Sequence, residues 1–208
     1  MSRDAQPRGH PVVDLPDPCL VLLVGPAGAG KSTFASRHFA RDEIVSSDEL
    51  REAITGDASD QTRNRAVFGA LARRVARRLA AGRTAVVDAT NLERSARRPL
   101  LAVAALHGMP AVAIVLDVGL GEAVGRDRRR PARTVGPDVI ARHHEQLGWL
   151  LATGHLDDEG FAAVHRLRGV EAVDTAAVRR REGYGADGDG PEGDAGHDTG
   201  PATVPRGR

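Results

Sequence analysis

Cysteine, lysine and aromatic residues are scarce in this 208-residue chain. The single cysteine, Cys19, excludes a disulfide framework, and its place in an apolar run predicts a buried thiol in a reducing, cytoplasmic setting. Aromatic residues make up 3% of the chain, and the net charge of +1 provides no overall field that would attract nucleic acid. No apolar run approaches the ~18 residues of a membrane span, and the polar N-terminus has no secretory apolar region, so we expect neither.

The only lysine, Lys31, lies in a glycine-rich stretch that matches the phosphate-binding pattern G-x-x-x-x-G-K-[ST]. An apolar run at 19–24 predicts a buried strand before it, and residues 32–39 predict a helix after it. Glycines permit the tight turn, and inward-facing N–H groups at a helix start attract anions. We expect Lys31 to reach the β- and γ-phosphates of ATP and Ser32 to ligate Mg²⁺. Within this stretch the predicted nucleotide-binding residues are Gly25, Pro26, Ala27, Gly28, Ala29, Gly30, Lys31, Ser32 and Thr33. The alternative is a strand–helix turn that binds nothing.

Strand and helix patterns alternate along most of the chain, which predicts an α/β fold with a doubly wound parallel sheet and helices on both faces. Strands are expected at 19–24, 43–46, 84–88, 111–117 and 161–167. Helices are expected at 31–40, 49–54, 61–81, 93–106, from 120, at 137–152 and at 171–181. We expect an irregular lead-in over 1–18, one domain over 19–181, and a disordered tail over 182–208 that is rich in glycine and aspartate. Trp149 and Phe161 are expected in the core.

Polar residues follow the strands at the sheet edge where ligands of such folds bind. Asp48 follows the second strand and is either a base that accepts a hydroxyl proton or only a helix N-cap. Arg51, one helical turn on, either holds a substrate phosphate or pairs with a local acid such as Glu52 or Asp48.

Two predicted strands end in an aspartate, and sequence spacing alone does not show which aspartate belongs to the site. Asp88 and Asp117 hold equivalent positions, but the polar run from Asp88 to Asn91 favours Asp88 as the acid of the site. With Asn91 it is expected to lie on the substrate side of the crevice.

A dense group of arginines at 126–133 is interrupted by Pro131, which predicts a loop between two helices that closes over ATP. The five arginines are Arg126, Arg128, Arg129, Arg130 and Arg133. An arginine of such a loop can stabilise the charge of the γ-phosphate, and a solvated basic loop is the alternative for two or three of the five. The adjacent His143 and His144 have no partner at metal-ligand spacing and are expected to be surface or packing residues.

At these residues the chain resembles the kinase domain of bacterial polynucleotide kinase-phosphatases, a family of P-loop polynucleotide 5′-kinases. The stretches that carry the resemblance are 25–34, 45–51, 60–62, 86–91, 95–100 and 126–133. The resemblance implies transfer of the γ-phosphate of ATP to a 5′-hydroxyl end of RNA or DNA. It makes Asp48 the general base, Arg51 a contact to the acceptor's phosphate, and Asp88 the acid of the third strand. It makes Arg126 and Arg133 the lid arginines over ATP, with Arg130 a weaker match.

Two other functions stay open. The near-neutral charge and the few aromatics favour a kinase of the same superfamily that phosphorylates a small alcohol, such as a metabolite or an antibiotic. A non-catalytic ATP-binding module would use the same loop without the base.

Overall fold

The predicted alternation of strands and helices is present in the computed structural model, which describes residues 10–57, 60, 62–129 and 135–182. In chain order the strands are β1 (Val12–Asp17), β2 (Leu20–Val24), β3 (Ile44–Ser46), β4 (Ala85–Asp88), β5 (Ala111–Asp117), β6 (Ala163–Arg168) and β7 (Ala177–Glu182). The helices are α1 (Lys31–His38), α2 (Ser47–Thr55), α3 (Asn64–Ala80), α4 (Arg94–Leu106), α5 (Leu120–Arg128), α6 (Pro137–Thr153) and α7 (Gly169–Thr175).

Five of the strands form a parallel sheet in the order β3-β4-β2-β5-β6. The apolar strand β2 lies at its centre and is buried along its whole length. Its alternate side chains pack on opposite faces, Val21 and Leu23 in one core cluster and Leu20 and Leu22 in another. Helices therefore cover both faces, and the doubly wound parallel sheet predicted from the sequence is confirmed.

The long helix α3 is held by the apolar stripe that the sequence shows. Val67, Leu71, Val75 and Leu79 are all buried against the sheet, as their four-residue spacing predicts. Burying each such side chain stabilises the fold by about 1.5–3 kcal/mol, before conformational entropy is subtracted. The arginines on the opposite side of this helix, Arg73, Arg74 and Arg77, are exposed.

Residues 12–17, predicted to be irregular, form a strand instead. β1 pairs in parallel with β7, from Val12 opposite Ala177 to Asp17 opposite Glu182. Val13 and Leu15 alternate into the core, while the proline at 16 is tolerated on a sheet of only two strands. The predicted helix over 171–181 is correspondingly wrong in its second half. Residues 1–9 and 183–208, with nearly all of the expected tail, lie outside the described residues.

The prediction for the single tryptophan is also wrong. Trp149 on α6 is 62% exposed, whereas Phe161 is partly buried against the core. Within the described ranges, no helix has the length and apolarity needed to cross a membrane.

Candidate active site

A cleft of about 990 Å³ opens at the carboxyl ends of β2, β3 and β4. Separate segments of the chain meet in it: the glycine-rich loop, the start of α2, the end of β4, and one side of α6. The predicted site residues that line it are Ala27, Lys31, Ser32, Asp48, Arg51, Asp88 and Asn91. The parallel topology explains this convergence, because the loops after parallel strands gather at one edge of the sheet.

The glycine-rich loop has the backbone that an anion cradle requires. Gly28 and Gly30 have φ of 78° and 96°, and a Cβ on Gly28 would collide with the backbone carbonyl of Ala123. Gly30 is the N-cap of α1, so the unpaired N–H groups of that helix start lie beside the loop. The Nζ of the buried Lys31 donates to the carbonyls of Gly25 (2.9 Å) and Pro26 (2.7 Å). The loop is therefore preorganised around its one ammonium group.

Asp48 and Arg51 form an ion pair across one turn of α2. Arg51, only 5% exposed, donates from Nη1 to Asp48 Oδ1 (2.8 Å) and from Nη2 to Asn64 Oδ1 (3.2 Å). The alternative of a local ion pair is thus present, with Asp48 rather than Glu52 as the acid. The N-cap alternative for Asp48 is wrong, because the side chain of Ser46 caps α2 by accepting from the N–H of Glu49. The half-exposed Asp48 carboxylate lies on the wall of the cleft, held by a buried guanidinium.

The two candidate aspartates at strand ends have different surroundings. Asp88 is buried at the end of β4, next to β2, and lines the cleft. Asp117 accepts two hydrogen bonds from Arg166, at 2.6 and 3.0 Å, and lines a different depression of the surface. Of the two, Asp88 alone shares the cleft with the loop.

Asn91 has a structural contact that the sequence does not reveal. Its backbone is left-handed, with φ of 48°, and its Nδ2 donates to the carbonyl of Leu23 at 2.8 Å. The side chain thereby ties the segment after β4 to the central strand. Its predicted contact to substrate stays a prediction.

Arg97 is a supporting residue that sequence reasoning missed. It is 1% exposed and donates to the carbonyls of Asn91 (2.8 Å) and Leu92 (2.9 Å). The same guanidinium binds both carboxylate oxygens of Glu159, whose side chain is 3% exposed. A charged residue on an arginine-rich helix gives no local signal of such burial. Arg97 fixes the backbone that shapes this side of the cleft.

His143, expected to be a surface or packing residue, makes a contact to the glycine-rich loop that the sequence does not reveal. The N–H of Ala27 in the loop donates to its Nδ1 at 3.4 Å, and the imidazole lines the cleft. Burial lowers the pKa of His143, and the nearby positive charges of Lys31 and Arg142 lower it further. A neutral ring with an unprotonated Nδ1 is the state that accepts this bond.

Arg126 lies beside the loop but within a helix. It is in the last turn of α5, and it donates from Nη1 to the carbonyl of Ala29 (3.3 Å) and from Nη2 to Asp174 Oδ2 (2.9 Å). The next residue, the buried Asp127, accepts from the N–H groups of Val135 and Gly136 and so joins the end of α5 to the start of α6. Arg130 and Arg133 fall in the segment that the structure does not describe, so their predicted contacts are untested.

Comparison with known proteins supports the fold. Residues 20–150 match the family model described as an AAA domain. A chain in the structure of the Pnkp1/Rnl/Hen1 RNA repair complex is similar, with a TM-score of 0.57 and 21% identity. That similarity covers 73% of this chain and 49% of the other, so this chain spans about half the length of that relative.

Two further solved structures are similar to this chain to different degrees. Kti12 from Chaetomium thermophilum, in complex with ADP-AlF3, has a TM-score of 0.54 and 15% identity, covering 75% of this chain and 94% of that one. A gluconokinase from Sinorhizobium meliloti 1021 has a TM-score of 0.47 and 19% identity, covering 76% of this chain and 91% of that one. A comparison with curated proteins found no match.

Proposed function

Because the chain belongs to the AAA domain family matched over residues 20–150, we propose that it is an ATP-dependent phosphotransferase. In this proposal it moves the γ-phosphate of ATP to a hydroxyl acceptor, which is the 5′-hydroxyl end of RNA or DNA. The observation that carries the proposal is that Asp48 lines the same cleft as Lys31 and Ser32. A nucleotide-binding module without catalysis would use this carboxylate as the ion-pair partner of Arg51 alone.

The loop is assigned to the triphosphate. Its positive-φ glycines leave no Cβ in the cradle, and the helix start of α1 adds N–H groups that favour negative charge. Lys31, now bonded to loop carbonyls, supplies the ammonium for the β- and γ-phosphates. Arg126, anchored by Asp174 and bonded to Ala29, supplies a second positive charge next to the loop.

The acceptor side is assigned to Asp48. Its carboxylate takes the proton of the acceptor hydroxyl while that oxygen bonds to the γ-phosphorus. The bond from the phosphorus to the bridging oxygen breaks, and ADP leaves with the electron pair. Arg51 acts through Asp48, since its buried guanidinium orients the carboxylate. Whether it also contacts an acceptor phosphate, as the resemblance implies, stays a prediction.

The residues present also fit a magnesium ion. Mg²⁺ is usually bound by one or two protein oxygens together with phosphates and waters rather than by a full protein cage. The exposed Ser32, in the first turn of α1, and Asp88 line one cleft and would hold it. When bound, the ion supplies positive charge that offsets the charge on the phosphate oxygens. In the described part of the chain, no cluster of three or more His, Cys, Asp or Glu side chains forms a competing metal site.

The identity of the acceptor is the second part of the proposal. The resemblance of stretches 45–51 and 95–100 to polynucleotide 5′-kinases supports a nucleic-acid end, and residues of both stretches line the cleft. The chain shares its fold with a component of an RNA repair complex, which is compatible with that acceptor.

An acceptor screen tests the proposal. Purified protein, γ-labelled ATP and Mg²⁺ are supplied with a 5′-hydroxyl oligonucleotide, the same oligonucleotide already carrying a 5′-phosphate, and a panel of small alcohols. We expect label only on the 5′-hydroxyl oligonucleotide. Strong labelling of a small alcohol with none on the oligonucleotide would make the protein a small-molecule kinase. ATP binding without transfer to any acceptor would make it a non-catalytic module.

A further inference from the structure

We propose that Trp149 forms a stacking platform for a nucleobase of a single-stranded acceptor, on a groove that continues the cleft. This inference rests on the proposed function and narrows its substrate class, because a platform outside the reaction site is useful only for an acceptor longer than one nucleotide. It concerns a tryptophan that is exposed on the surface although the sequence predicts its burial.

The indole of Trp149 is exposed but held in place. It is 62% exposed, and its ring stacks on that of His155 with centroids 4.9 Å apart and an interplanar angle of 22°. Together they border a groove of about 420 Å³ whose other walls include Leu92, Leu150 and the Arg97–Glu159 pair. A rigid, exposed aromatic face is the feature on which bases stack in sequence-tolerant single-strand binding.

The groove is continuous with the cleft. Leu92, Glu93 and Gln146 line both spaces. On α6 the residues Arg142, Gln146 and Trp149 are spaced i, i+4 and i+7, so they share one face of the helix. That face runs about 10 Å, from the wall of the cleft at Arg142 out to the indole. An acceptor strand leaving the reaction site along α6 therefore meets Trp149.

Exposed arginines border this path and can contact a phosphate backbone. Arg94, Arg98 and Arg142 are exposed, with the Arg94 side chain at 67%. Arg94 and Arg98 are one turn apart on α4 and share a shallow cavity with Ser95, which also lines the cleft. Exposed acids also border this region, namely Glu93, Glu145, Asp157 and Asp158, and Arg94 lies 4.0 Å from Glu159. The phosphate contacts are therefore assigned to individual exposed arginines and not to a net positive field. Arginine is suited to phosphate because its planar fork bonds two oxygens at once.

The test uses the fact that Trp149 is the only tryptophan, so indole fluorescence reports this site alone. A 5′-hydroxyl oligonucleotide of about ten nucleotides is titrated into the full-length protein, and stacking should quench the emission. In kinase assays with the same oligonucleotide, Trp149→Ala should raise KM roughly 5- to 150-fold, the equivalent of about 1–3 kcal/mol of stacking, with kcat nearly unchanged. Trp149→Phe should recover much of the loss. Leu106→Ala, another exposed apolar residue at the far end of α4, is the matched control and should change neither constant.

A short acceptor separates this inference from the proposed function. With a nucleoside 3′-phosphate, Trp149→Ala should match the wild-type protein, because such an acceptor does not reach the indole. If the wild-type protein phosphorylates the oligonucleotide but Trp149→Ala leaves KM unchanged and the emission is not quenched, the platform is refuted while the kinase stands. If the wild-type protein phosphorylates no nucleic acid, the acceptor assignment itself fails. An emission change that follows protein concentration without oligonucleotide would place a second copy of the chain on Trp149 and would also overturn the inference.

Discussion

Replacing Arg97 by alanine is predicted to destabilise the protein far more than replacing its neighbour Arg98. Arg97 is buried and bonded to Glu159 and to the carbonyls of Asn91 and Leu92, whereas Arg98 on the same helix is exposed. The two substitutions remove the same side chain from adjacent positions of α4. Their difference therefore measures the buried contacts and not helix propensity.

The expected magnitude follows from what the substitution leaves behind. Without the guanidinium, the carboxylate of Glu159, 3% exposed, loses its close ion pair and keeps the longer one to the exposed Arg94 at 4.0 Å, and two backbone carbonyls lose a donor. Breaking a buried ion pair by removing one partner costs about 3–5 kcal/mol. For a domain of this size each kcal/mol lowers Tm by about 2–4 °C, so Arg97→Ala should lower it by roughly 6–20 °C. Arg98→Ala should change the free energy of unfolding by less than about 0.5 kcal/mol.

Thermal and urea unfolding followed by circular dichroism measure both variants. The double substitution Arg97→Met with Glu159→Leu removes both charges and should be less destabilising than Arg97→Ala alone, because no charge is left buried. Equal unfolding midpoints for Arg97→Ala and Arg98→Ala would refute the structural role given to Arg97. A double variant no better than Arg97→Ala would show that packing, rather than charge, dominates.

Two further predictions concern the loop and its histidine. Gly28→Ala places a Cβ on a residue with left-handed backbone, which costs about 1–2 kcal/mol of conformational strain, and drives that Cβ into the carbonyl of Ala123. The affinity for ATP, measured by calorimetry, should therefore fall at least ~10-fold. Gly121→Ala on α5, where an added Cβ meets no described atom within 4 Å, should leave it unchanged, and equal affinities in the two variants would contradict the prediction. The pKa of His143 is lowered from 6.5 in the folded protein. Below pH 6.5 this imidazole therefore binds a proton more readily in the unfolded chain than in the folded one, and the free energy of unfolding should decline as the pH falls. His143→Gln should weaken this decline when urea midpoints are compared at about pH 7.5 and about pH 5.5, and an unchanged decline would show that other groups cause it.

Local patterns were sufficient for most of the fold. The stripe on α3, the apolar strands β2 and β5, and the glycine-rich loop each carry their signal within one stretch of sequence, and each lies where it was predicted. β1 was missed because its partner β7 is distant in sequence and prolines obscure the alternation of Val13 and Leu15. Long-range pairing of this kind leaves little trace in local periodicity.

The residues of the candidate site also fall into two groups, those that local sequence patterns predict and those that depend on tertiary packing. Residues at the ends of predicted strands, such as Asp48 and Asp88, were placed together because the parallel topology determines where strand ends meet. Arg97, His143 and Trp149 were not predicted, because each depends on which face of a helix meets another element. Charge and hydrophobicity alone predict Arg97 outside and Trp149 inside, and tertiary packing reverses both.

The central claim is that one cleft holds ATP at the loop while Asp48, which lines the same cleft, activates the acceptor. The measurement that tests it most directly compares Asp48→Asn with the wild-type protein for both ATP affinity and the rate of phosphate transfer to a 5′-hydroxyl oligonucleotide. The predicted result is an ATP affinity within about threefold of wild type and a transfer rate lowered roughly 100-fold or more. An unchanged transfer rate would contradict the claim.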